Sequence, residues 1–191
     1  YKQDALPFGS GIVEMERGGY SGVQSFPWQM DTAIARNSWC YTRDLVYKTS
    51  KELLQNLIDV VAKNGNLLLN IGPKADGTIP KRDQQILREM GDWLEVNGEA
   101  IYGSRPWRVA TESSSQQAWG AFSDGEAPSY TSQDIRYTFR DGFLYALQLD
   151  PSREEETVLL TSLAYNLTEP QILHARIQRV ELLGNSQELD W

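Results

Sequence analysis

The chain has 191 residues, 40% of them hydrophobic and 10% aromatic, which is ample apolar side chain for one large or two small packed domains. A net charge of -8 with acidic and basic residues interspersed argues against nucleic acid or an anionic membrane surface as partner. No apolar run approaches the roughly 18 residues that a membrane-crossing helix needs, and the lone cysteine, Cys40, rules out an internal disulfide or a multi-cysteine metal site. No metal and no cofactor is expected, and no feature assigns a compartment.

In chain order, Gly11 to Met15 reads as a short strand stopped by Glu16-Arg17-Gly18-Gly19. Carboxylates at the carboxyl end of a strand, running into a glycine-rich loop, stand where an α/β barrel places its chemistry. The plain alternative is that Glu14 and Glu16 are solvated loop charges. Pro27-Trp28-Gln29-Met30 is a second short apolar patch, followed by a polar loop and Ser38-Trp39-Cys40-Tyr41. Tryptophans so placed are either buried plugs or surfaces on which the apolar face of a sugar stacks.

Thr49 with Glu52 forms a capping box, and Leu53, Leu54, Leu57, Ile58 and Val61 follow at helical spacing up to Gly65. The unbroken run Leu67-Leu68-Leu69, between Gly65 and Gly72-Pro73, predicts a strand buried on both faces of a parallel sheet, with Asn70 where strand becomes loop. Pro80 starts a second helix with Ile86, Leu87, Met90, Trp93 and Leu94 on one face, and Asn97-Gly98 closes it. Its charged side, including Asp83, is expected to face water.

Helical period disappears from Trp107 onward. Ile135 to Phe139, the turn dipeptide Asp141-Gly142 and Phe143 to Leu149 predict a β-hairpin, and Glu156 to Leu163 and Ile172 to Leu183 are further strand candidates. The last part thus reads as an antiparallel β domain of sandwich type, with polar loops over Glu112 to Gln117 and Asp124 to Gln133. The single histidine, His174, falls in this region, as does the sequon Asn166-Leu167-Thr168.

Several separated motifs occur together in one order: Asn64 to Pro80, Asn97 to Gly103, Pro106-Trp107, and upstream Trp28-Gln29 with Ser38 to Tyr41. In this the first 107 or so residues resemble the retaining α-L-fucosidases of glycoside hydrolase family twenty-nine. The resemblance implies an α/β fold, the carboxyl-terminal portion of a (β/α) TIM-type barrel over residues 1–105, followed by an antiparallel β-sandwich domain, truncated, over 106–191. It also implies exo-hydrolysis of terminal α-L-fucose from a fucosylated glycan or fucoside, through a covalent glycosyl-enzyme. Glu16 matches the acid/base position, with Glu14 as the fallback, and Trp39 matches the aromatic wall beside the sugar methyl. Trp28 and Gln29 match the family's Trp-Glu pair with Gln in place of Glu, and Cys40 stands where glycine is usual. No aspartate here matches the nucleophile. A barrel needs about 250 residues, so the missing strands and the nucleophile are expected from a complementing chain or a second copy. An inactive fragment and a fucose-binding module without catalysis are the alternative readings.

Overall fold

The structure, a computed structural model, describes residues 6–113, 119–124, 129–151, 157–164, 177–185 and 189. Strands β1 (Val13–Glu16), β2 (Trp28–Ala33) and β3 (Gly65–Asn70) form a parallel sheet in the order β1-β2-β3. Met15, Met30 and Leu67 share one register row, and Glu16, Asp31 and Leu68 the next. Because side chains alternate along a strand, Val13, Met15, Trp28, Met30, Leu67 and Leu69 fall on one face. Glu14, Glu16, Gln29, Asp31, Asn66, Leu68 and Asn70 fall on the other.

The apolar face is covered by helices α1 (Ser50–Ala62) and α2 (Lys81–Asn97). Val60 packs with Val13, Met15, Trp28 and Met30, while Leu53 packs with Ile34, Ile86 and Met90. The expected capping box starts α1: the Thr49 hydroxyl accepts the Glu52 amide at 3.2 Å and the Glu52 carboxylate accepts the Thr49 amide at 2.7 Å. Asn64, at a left-handed φ of 71°, turns the chain into β3; asparagine tolerates that conformation far better than a branched residue does. Gly65 opens the strand instead of ending the helix. It is needed for space, since a Cβ there would come within 2.6 Å of the Trp28 ring and 2.7 Å of Val60.

Two expectations about burial are corrected. β3 is an edge strand rather than one buried on both faces, and Leu68 is 46% exposed. Asp83 does not face water: it is fully buried in the first turn of α2. Burial, and then the nearby Asp83 carboxylate, push the Tyr47 hydroxyl up to about 12.

A second, antiparallel sheet follows, β4 (Arg105–Glu112), β5 (Ile135–Arg140) and β6 (Phe143–Gln148), with β5 in the middle. The predicted hairpin is present, its turn made by Asp141 and Gly142 at φ 51° and 89°. Residues 157–160 are irregular and Thr161–Leu163 is a 3-10 turn, so the strand expected there does not form; 177–183 likewise holds no strand. Residues 172–176, His174 and the sequon at Asn166 lie outside the described residues.

The outer side of α1 joins the two sheets. Ile58 packs with Ala100, Ile101, Tyr130, Leu147 and Leu149. The buried Asp59 carboxylate accepts from Lys63 at 2.6 Å and from Arg136 of β5 at 2.5 Å. Gln55 donates to the Leu149 carbonyl and Thr138 to the Ala100 carbonyl.

Candidate active site

The polar face of the parallel sheet ends in a cluster of groups that are far apart in sequence. Glu16 is the last residue of β1, half-buried, with Asp31 of β2 as its register partner; Glu14 sits one row below, beside Gln29. Neighbouring parallel strands run about 4.8 Å apart, so Glu16 and Asp31 stand side by side on the face that the helices leave open.

The chain then turns sharply at Arg17, whose φ is 47°. Its amide donates to the Asp31 carbonyl at 2.8 Å. Its guanidinium lies over the Trp39 ring, 4.3 Å from the centroid, and donates to the Ala35 carbonyl at 3.3 Å. Asn70, at the end of β3, donates to the Trp39 carbonyl at 2.7 Å. The loop after β1, the loop carrying Ser38 to Tyr41 and the end of β3 therefore meet, and the residues that the sequence motifs single out in those three places converge. Close packing continues behind them: a Cβ at Gly72 would come within 2.7 Å of the Tyr41 amide nitrogen.

Trp28 is the exception. It is 0% exposed on the opposite, helix-covered face, donates its indole N–H to the Lys63 carbonyl at 3.0 Å, and meets Tyr20 edge-on. From there it touches no ligand; it is a plug beneath the sheet. Gln29, one residue on, points to the polar face.

Two groups escape the sequence reading. Asp31 is the first, and the alternation of Gln29 and Asp31 with Trp28 and Met30 is the signal that carries it. The second is Asp124, expected in a flexible loop but buried against Lys48 at 2.5 Å and the Thr32 hydroxyl at 2.5 Å. No local signal points to it, because its partners lie 76 and 92 residues away. Burial lowers the Lys48 ammonium from its ordinary value, and Asp124 opposes that shift. This pair holds residues 119–124 over the loop after β1, where the Phe122 amide donates to the Glu16 carbonyl at 2.8 Å and the Gly120 amide to the Gly19 carbonyl at 2.8 Å. Gly18 is required there, since a Cβ would lie 1.8 Å from the Gly120 carbonyl oxygen.

Among the described residues no group of His, Cys, Asp and Glu could hold a metal ion, and no helix is long and apolar enough to cross a membrane. The cluster offers carboxylates beside an immobilised indole, which suits acid–base chemistry on a small ligand with one apolar side.

Residues 5–99 match the family model described as Alpha-L-fucosidase. The tissue alpha-L-fucosidase of Rattus norvegicus is 34% identical over 167 residues, covering 86% of this chain and 30% of that protein. That of Homo sapiens is 43% identical over 102 residues, 50% of this chain and 22% of that protein. The chain thus spans about a third or less of the curated relatives it matches. Among solved structures, alpha-L-fucosidase isoenzyme 1 from Paenibacillus thiaminolyticus superimposes with a TM-score of 0.68 at 27% identity, over 94% of this chain and 36% of that one. Thermotoga maritima alpha-fucosidase in complex with fucose gives 0.54 at 29% identity, over 71% and 27%. With its motifs, its ordered match over residues 5–99 and these likenesses taken together, the chain belongs to the α-L-fucosidase family.

Proposed function

We propose that this chain supplies part of the active site of an α-L-fucosidase, which removes terminal α-L-fucose from a fucosylated glycan or fucoside with retention at the anomeric carbon. The observation that carries the reading is the position of Glu16: end of a parallel strand, on the face opposite the helices, next in the chain to Arg17, whose guanidinium covers Trp39. In this reading Glu16 protonates the leaving oxygen and then deprotonates water, Glu14 being the reserve candidate, while Trp39 walls the sugar methyl and Gln29 lines the floor. The nucleophile, in this reading, is a residue outside these 191. Retention requires its carboxyl group about 5–5.5 Å from that of Glu16. Residues 1–105 then form the carboxyl-terminal portion of a (β/α) barrel and 106–191 a β-sandwich domain. The polar face, with Leu68 46% exposed on its edge strand, fits such completion.

The test uses the native particle. Glu16→Ala should slow fucosides with sugar leaving groups severely and activated aryl fucosides much less, because a good leaving group needs little protonation. Azide should restore turnover and give fucosyl azide of retained α configuration, since the covalent intermediate still forms. Equal loss on all substrates without azide rescue would return Glu16 to a solvated charge and move the role to Glu14. An inverted azide would make the mutated residue the nucleophile. A native particle without fucosidase activity, binding fucose only, would favour a carbohydrate-binding module.

A further inference from the structure

Arg17 occupies a position that a glycine would fill without strain. Its φ of 47° lies in the left-handed region, and the next two residues are Gly18 and Gly19. A long side chain held in that conformation is retained where its contacts outweigh the backbone strain. Here those contacts are specific. The side chain is buried, its guanidinium covers one face of the Trp39 indole at 4.3 Å, and one nitrogen is tied to the Ala35 carbonyl. The backbone of Arg17 is fixed independently, by its amide on the Asp31 carbonyl and by the Asp124 amide on its own carbonyl at 2.9 Å. The fork of the guanidinium therefore starts from a rigid base one residue beyond Glu16.

Trp39 sits in the loop between β2 and α1, half-buried, with Asn70 holding its backbone carbonyl. The flat guanidinium over the ring constrains it, because a planar cation stacks on an aromatic face where an ammonium makes only a point contact.

We propose that Arg17 is a positioning residue: by stacking on one face of Trp39 it fixes the indole relative to Glu16 and leaves the opposite face as the single apolar wall for the sugar. Arg17 itself touches no substrate. Because it links the strand that carries the acid to the wall that carries the ligand, it couples proton transfer to sugar placement. The inference rests on the fucosidase reading of the site.

The test is a double-mutant cycle on fucose binding to the native particle, with Arg17→Met, Trp39→Ala and the pair, and Arg17→Lys as the conservative variant. Arg17→Met should weaken fucose about tenfold, within the range of a desolvated cation–π contact. In the Trp39→Ala background the same change should cost nothing further, because the two residues act as one unit. Arg17→Lys should fall between Met and wild type. In heteronuclear spectra the Arg17 side-chain protons should be shifted upfield by the indole and lose that shift in Trp39→Ala. Unchanged binding in Arg17→Met, or losses that multiply in the pair, would overturn the inference while leaving the fucosidase reading intact. If Arg17→Met fails to fold, the cycle is run with Arg17→Lys, and multiplying losses there overturn it equally. A wild-type particle that binds no fucose would instead remove the fucosidase reading and this inference with it.

Discussion

Removing the Asp124 carboxylate should strand a buried cation. Lys48 and Asp124 expose only 2% and 5% of their side chains and meet at 2.5 Å. Breaking a buried pair by deleting one partner costs about 3–5 kcal/mol, chiefly the penalty of the charge left behind. Lys48 keeps the Thr32 hydroxyl at 2.6 Å and the Ala33 carbonyl at 3.2 Å, so Asp124→Ala should fall at the lower end, about 3 kcal/mol. Lys48→Met should also cost stability, because Asp124 is held in place by its own amide on the Arg17 carbonyl and would be left buried without its cation. Urea unfolding followed by tryptophan fluorescence, at one protein concentration, measures both. The pH dependence has a definite sign. Burial already depresses the Lys48 pKa and Asp124 opposes the shift, so the variant lowers the folded-state value further. Between that value and the unfolded value near 10.4 the unfolded chain binds more protons, and stability rises with pH. The deficit of Asp124→Ala should therefore shrink as pH is raised towards that value. A deficit under about 0.5 kcal/mol, or one that salt removes, would show that the pair is solvated and refute the argument.

Asp59 should behave as the junction between the sheets: Asp59→Ala leaves Lys63 and Arg136 buried without their shared anion, at a cost of about 3–5 kcal/mol. Limited proteolysis should then cut the β part ahead of the α/β part, where the wild type loses both together. Glu112 gives an acid-side prediction. Burial raises its pKa, but hydrogen bonds from Thr161, Ser162 and the Tyr137 hydroxyl outweigh that and bring it down to about 2. Its contribution to stability is present above the ordinary carboxylate value and lost as pH falls from about 4.5 towards 2; Glu112→Gln should flatten that part of the acid unfolding curve.

What the sequence makes legible here is what local chemistry determines. The capping box at Thr49 and Glu52, the triple leucine of β3 and the Asp141-Gly142 turn are each decided within a few residues, and each appears where the pattern puts it. Strand order, the burial of Asp83 and the Asp124–Lys48 pair are decided by elements tens of residues apart, for which no local pattern exists. The two tryptophans mark the boundary between these cases. Trp28 and Trp39 both read as plug or sugar surface from composition, yet strand parity separates them, because Trp28 alternates in phase with Met30 and out of phase with Gln29 and Asp31.

The same parity bears on the site itself. A strand buried on both faces by apolar neighbours reads as a continuous hydrophobic run; Leu67 to Leu69 is such a run, yet Leu68 is left exposed on an edge strand. β1 and β2 instead alternate strictly, Val13-Glu14-Met15-Glu16 and Trp28-Gln29-Met30-Asp31, although they pair in parallel with helices on one side. A parallel sheet that places four polar side chains in two rows on its second face is not one closed by hydrocarbon, since desolvating charged side chains against apolar groups is costly. The face must meet water or other groups that hydrogen-bond. That requirement is independent of any family likeness, and it falls on the same residues, Glu14, Glu16, Gln29 and Asp31, to which the chemistry of the site points.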